Sequence, residues 1–138
     1  MGWRGAAIIG VDLKKDVGTL LAAYDDREGV TAAFNLNLLT RINRELGGDF
    51  SLESFAHEAR WNEAESAIEM HLVSLREQLV MVGGQSFAFK AGETIHTESS
   101  RKYDVSGFME LAECWGWCVN AIWSDVDRRF AVFGLDAT

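Results

Sequence analysis

Residues Ala6 to Leu13, AAIIGVDL, form a nearly unbroken apolar run of strand length that begins a few residues from Met1. A continuous run, rather than an alternating one, marks a strand covered on both faces, as in the middle of a parallel sheet. A central strand placed so early is short of partners, because its natural neighbours would be laid down before it. The rest of the chain must turn without proline, which is absent, so the 13 glycines together with Asn and Asp have to punctuate it.

A chain of 138 residues is expected to make one compact domain, 1–138, burying about two-thirds of its unfolded surface. No apolar stretch approaches the roughly 20 residues needed to cross a bilayer, and no secretion signal opens the chain; a cytoplasmic location is the expectation. The formal net charge is −8, and the basic residues are scattered rather than gathered into a stripe, which argues against a nucleic-acid surface. Cys114 and Cys118 make a lone C-x3-C with too few ligands for structural zinc, and they read as reduced, mostly buried thiols. His57, His71 and His96 come from separate segments without ligand spacing, so no metal is expected.

Asp16 to Tyr24 reads as a short helix with Leu20, Leu21 and Tyr24 on one stripe. Phe34, Leu38, Ile42 and Leu46 recur every four residues up to Gly47-Gly48, an amphipathic helix with a glycine stop. A shorter helix is expected over Leu52 to His57. From Ala59 the period becomes two: Ile68, Met70 and Leu72 share one face of a strand, and Leu79–Val82 and Gln85–Phe89 flank Gly83-Gly84, a tight hairpin in an antiparallel meander. Asp104 caps a helix through Trp115, and strands come next over Trp117–Ser124 and Phe130–Leu135. The class is α+β in two packed layers, with the first and last strands in one sheet and the meander in a smaller adjoining one.

The polar stretch Gly92 to Tyr103, GETIHTESSRKY, carries the chemistry. If the backbone is extended there, Glu98 and Ser100 leave the same face. One is a pure acceptor and the other can donate, a pair matched to a neutral imidazole with one N–H and one bare nitrogen. Polar residues in such a place ordinarily face water, and the residues alone favour that plainer reading. Likewise Tyr24 can simply close its helix stripe, and Met70 can simply pack the core. Asp12 and Lys14, at a strand end, are weaker candidates.

Several runs, GVDLKKD, AAYDDREGVTAAFNLNLL, NRELGGDF, ARWNEAES, IEMHLVS and AGETIHTESS, taken in order, resemble the C-terminal part of the histidine-specific, S-adenosylmethionine-dependent methyltransferases. That family includes the histidine Nα-methyltransferase of ergothioneine biosynthesis. The resemblance implies a truncated methyltransferase-like sheet, made of its fifth strand plus the final pair (6–13 and 104–138), with a helix and antiparallel-meander substrate domain (16–103) inserted. It implies that Tyr24 meets the substrate α-carboxylate, that Glu98 and Ser100 read the imidazole, and that Met70 lines the pocket. It also implies that the glycine-rich cofactor half lies outside this chain. The expectation is a substrate-recognition half, inactive alone and binding no S-adenosylmethionine by itself; a separate polypeptide supplying the cofactor half is a further possibility. A homodimer through the exposed first strand is expected, and the alternative function is a non-catalytic homodimeric small-molecule-binding or interaction module.

Overall fold

Local pattern sets most of the elements. In the computed structural model, which describes residues 5–138, they run β1 (Ala6–Asp12), α1 (Val17–Tyr24), α2 (Val30–Leu46), β2 (Phe55–Asn62), β3 (Ala67–Ser74), β4 (Gln78–Val82), β5 (Gln85–Phe89), β6 (Thr94–Arg101), α3 (Val105–Cys114), β7 (Trp117–Ser124) and β8 (Phe130–Ala137). The sheets are β1-β8-β7, β2-β3-β6 and the hairpin β4-β5, so the class is α+β. The chain divides into two compact units. One holds the described residues up to Asp16, with Ala64–Ser66 and Arg101–Thr138; the other holds Val17–Glu63 and Ala67–Ser100.

In the first unit β8 is the middle strand, antiparallel to β1 from Ala6 opposite Asp136 to Asp12 opposite Phe130, and antiparallel to β7. Helix α3 lays Phe108 and Ala112 on Val11, Ala131, Phe133 and Leu135. This corrects the expectation of a doubly covered parallel strand: β1 pairs with β8 along one edge, Val11 is buried, and Ile8 is 78% exposed. An apolar run reports hydrophobicity, and the pairing of its backbone is decided elsewhere. The Phe130 ring covers Gly10 so closely that a Cβ there would lie 2.7 Å from it, and the half-exposed ring would have to shift.

The end of β1 meets a buried cation with a partly exposed carboxylate. The Lys102 side chain has no exposed surface, and its Nζ lies 2.8 Å from Asp12 Oδ2; Lys15 Nζ donates to Asp12 Oδ1 at 2.5 Å. Burial pushes the Asp12 carboxyl up, but hydrogen bonds and charge from Lys102 and Lys15 outweigh it and hold it below its ordinary value. Asp12 is thereby committed to neutralising Lys102.

In the second unit α2 ends as its periodicity predicts, at Gly47 with φ 63°, whose N–H reaches the Ile42 carbonyl. Its start is held by Asp26, whose carboxylate accepts from the N–H groups of Val30 (2.9 Å) and Thr31 (2.8 Å). Leu39 of α2 packs with Phe50, Phe55, Leu72 and Val80. That cluster explains a second correction: residues 52–57 form only a 3-10 turn at Leu52–Ser54 before β2 begins at Phe55, because Phe55 is drawn into edge-on contact with Phe50 and Phe89. The meander is also interrupted. β6 pairs with β3 while β4-β5 stands as its own hairpin around Gly83 and Gly84, both at positive φ.

Both cysteines are free, and both are exposed rather than buried. Cys114 falls on the side of α3 away from Phe108 and Ala112, and Cys118 alternates with Trp117 and Val119, which pack inward. Among the described residues no helix is long and apolar enough to cross a membrane.

These charges have two measurable consequences. Asp12→Asn removes the carboxylate charge that faces buried Lys102 and should lower the unfolding free energy by about 3 kcal/mol. Urea titration measures this, and adding Lys102→Met should recover most of the loss. The Asp26 carboxyl is lowered to about 2, chiefly by its hydrogen bonds to Thr31. Its contribution is therefore complete above the unfolded value of about 3.9 and fades as pH falls toward 2. An NMR titration of its side chain should find the depressed midpoint, and Asp26→Asn should flatten stability across that window.

Candidate functional site

Tyr24 is the last residue of α1, and Ser100 lies near the end of β6. Although 76 residues apart, they meet: Tyr24 Oη donates to Ser100 Oγ at 2.8 Å, and both are half-buried. The stretch from Thr94 is extended, as the same-face argument for Glu98 and Ser100 requires. Glu98 is exposed, and no partner meets its carboxylate among the described residues. Met70 is buried in β3, at 3% exposure. Its carbonyl oxygen accepts from Thr97 Oγ1 at 2.9 Å, a bond that ties β6 to β3. The structure thus joins Tyr24 directly to Ser100, places Glu98 on the same strand, and sets Met70 on the neighbouring one.

Two residues not singled out as site candidates support this arrangement. His57 Nε2 lies 2.7 Å from the Tyr24 carbonyl oxygen, and Asn35 Nδ2 lies 3.0 Å from His57 Nδ1 and 3.2 Å from the His71 carbonyl oxygen. No sequence spacing signals these contacts, because each joins a side chain to a group on an element far away in the chain. The weaker candidates have other duties: Asp12 neutralises Lys102, and Lys14 lies 3.6 Å from Asp104 at the surface.

The histidines are not as separate as their sequence positions suggest. Glu69, His71 and His96 bring ligand-type atoms within 4.8 Å of one another. The two rings are stacked, with centroids 4.7 Å apart and planes 18° from parallel, so their in-plane lone pairs run side by side and do not converge on one point. His71 Nε2 faces Glu69 Oε2 at 3.1 Å, and His96 Nε2 faces the Glu98 carbonyl and Ser99 Oγ. Hydrogen bonds from Asn62 and then His71 hold the Glu69 carboxyl below its usual range. The group is built as a hydrogen-bonded cluster.

Two of the roomier concavities lie elsewhere. One, of about 390 Å³, runs between α2 and the sheet past Leu38, Ile42, Leu72 and Ile95. The other, of about 430 Å³, lies in the first unit beside Lys14, Tyr103, Asp104 and Arg128.

Residues 1–137 match the family described as histidine-specific methyltransferase, SAM-dependent. The chain belongs to that family. It is 48% identical over 109 residues to the histidine N-alpha-methyltransferase of Mycolicibacterium smegmatis, covering 77% of this chain and 34% of that protein. It is 50% identical over 98 residues to the enzyme of the same name from Mycobacterium tuberculosis, covering 70% and 30%, and 29% identical over 124 residues to the N-methyltransferase imqF of Aspergillus flavus, covering 89% and 34%. The chain therefore spans about a third of the length of the curated histidine-specific methyltransferases it matches. The family is SAM-dependent, and neither strand-to-helix junction among the described residues holds a glycine. Nucleotide cofactors in such folds rest on a glycine-rich turn between a strand and a helix, and β1 here runs instead into Leu13, Lys14 and Lys15 before α1.

If the two hydroxyls form one unit, Tyr24→Phe and Ser100→Ala should be coupled. A double-mutant cycle read by chemical denaturation is expected to give a coupling of about 1 kcal/mol, and strict additivity would show the contact to be incidental.

Proposed function

We propose that this chain carries the part of a histidine-specific methyltransferase that recognises the amino-acid substrate, and that the methyl donor is held by residues outside it. The observation that carries the reading is the Tyr24–Ser100 hydrogen bond, which joins in space two residues that the family resemblance assigns to one ligand. The relatives named histidine N-alpha-methyltransferase point to histidine as that ligand, with its α-amine as the methyl acceptor.

In this reading Glu98 accepts the imidazole N–H, Ser100 donates to the bare ring nitrogen, and Tyr24 meets the carboxylate. The ligand exchanges the Tyr24–Ser100 bond for bonds to itself, so the two hydroxyls satisfy each other until it enters. Met70 supplies apolar packing beneath the ring. The β1, β7 and β8 strands correspond to a fifth strand and closing pair of a methyltransferase sheet, and residues 16–103 to the substrate insertion. What this chain contributes to catalysis is orientation of the amine, since methyl transfer gains most from in-line positioning. Alone it transfers no methyl group.

A second reading is favoured by β1. Its outer edge is unpaired among the described residues, and Ile8 is exposed there, an arrangement that soluble proteins pair or cover. A second copy pairing along β1 would make a non-catalytic homodimeric binding module.

Calorimetric titration with histidine separates these readings. Recognition predicts saturable binding, weakened about tenfold by Glu98→Gln through loss of a charged hydrogen bond. Heat that Glu98→Gln and Ser100→Ala leave unchanged would remove the site from this face. Light scattering on the same sample tests the second reading, which a monodisperse monomer would end.

A further inference from the structure

We propose that His57, held by Asn35, is the positioning residue that sets the Tyr24 hydroxyl against Ser100; the inference rests on the reading of Tyr24 as a substrate-facing group. The bonding partners fix the chemistry of the imidazole. A backbone carbonyl can only accept, so the ring nitrogen 2.7 Å from the Tyr24 oxygen, Nε2, carries the hydrogen and donates. In a neutral ring Nδ1 is then a bare acceptor, and Asn35 Nδ2 donates to it at 3.0 Å.

The amide orientation is fixed by its second contact. Asn35 Nδ2 also donates to the His71 carbonyl at 3.2 Å, and a flipped amide would turn its oxygen toward that carbonyl, acceptor against acceptor. Asn35 is fully buried, and its Oδ1 has no partner. A buried orphan oxygen is costly, and it persists here because both amide hydrogens are in use. The chain of bonds therefore has a single direction: Asn35 to His57, His57 to the Tyr24 main chain, and the Tyr24 hydroxyl to Ser100.

Its anchoring point matters. The last four carbonyls of a helix lack intrahelical partners, and Tyr24 is the final residue of α1. By donating to that carbonyl, His57 fixes the end of α1, and with it the origin of the phenol side chain. Asn35 ties the same ring to the β3 main chain at His71, one residue from Met70. The end of the helix and the strand are thereby registered to each other through one imidazole.

The test compares His57→Gln, which can keep one donor and one acceptor, with His57→Phe, which keeps the bulk and neither. The readout is the Tyr24 ¹³Cζ shift, which tracks the hydrogen bond of the phenol, with Ser100→Ala as the reference for its loss. His57→Phe should move the signal in the same direction as Ser100→Ala and by a comparable amount, whereas His57→Gln should leave it near the wild-type value. A folded Phe variant with an unmoved Tyr24 signal overturns the proposal. Should that variant not fold, the wild type decides: at about pH 8, where free imidazole is neutral, the His57 Nε2 proton must be visible and slow to exchange, and its absence overturns the proposal equally. Histidine titration adds the functional arm, with binding weakened about tenfold in the Phe variant and within about threefold of wild type in the Gln variant. If the wild type binds no histidine, the reading of the site falls, while the two NMR measurements still decide the positioning role.

Discussion

β3 is flanked on both edges, by β2 and by β6, and its main chain is the reference to which the rest of the second unit is fixed. A buried strand must satisfy every peptide group, and here side chains from other elements also bond to it. Asn35 donates to the His71 carbonyl and Thr97 to the Met70 carbonyl, while the Ser74 N–H reaches the Glu93 carbonyl. Ile68, Met70 and Leu72 are buried on one face, and Ala67 and His71 on the other. Because β3 cannot shift without breaking these bonds together, α2 and β6 keep fixed places against it, and through His57 so does the end of α1.

The acidic character of the chain has a structural side. Asp26, Asp104 and Asp125 each turn a carboxylate onto backbone N–H groups where a helix or hairpin begins. Asp104 accepts from Gly107 at the start of α3, and Asp125 accepts from Arg129 and Phe130 in the β7–β8 turn. All three are held below the ordinary aspartate range by hydrogen bonds, led by the Thr31 side chain for Asp26 and by the Gly107 and Phe130 N–H groups for Asp104 and Asp125. In a chain without proline, aspartate does the turning that a fixed φ would otherwise do.

How much was legible depended on the range of the interactions involved. The α2 stripe ending at Gly47, the Asp104 cap and the Gly83-Gly84 hairpin were readable because periodicity and turn chemistry act within a few residues. Phe55 lies in a strand, not in the helix its neighbours suggest, because contact with Phe50 and Phe89 outweighs local preference. The surroundings of β1 are not legible, because its composition suits either a doubly covered strand or one packed on a single face. Glu98 and Ser100 are legible as a same-face pair; the resemblance implies only that Tyr24 and Ser100 serve one ligand, and neither their direct hydrogen bond nor the part played by His57 and Asn35 has a signal in the sequence.

Family membership, the elements with strong local period and the residue types available to bind an imidazole follow from the order and composition of residues alone. The tertiary structure alone decided which of those residues touch, which way the His57 ring donates and which acid neutralises the buried Lys102. Each of these is a hydrogen bond or ion pair between groups distant in the chain, whose direction is set by the atoms that packing places opposite.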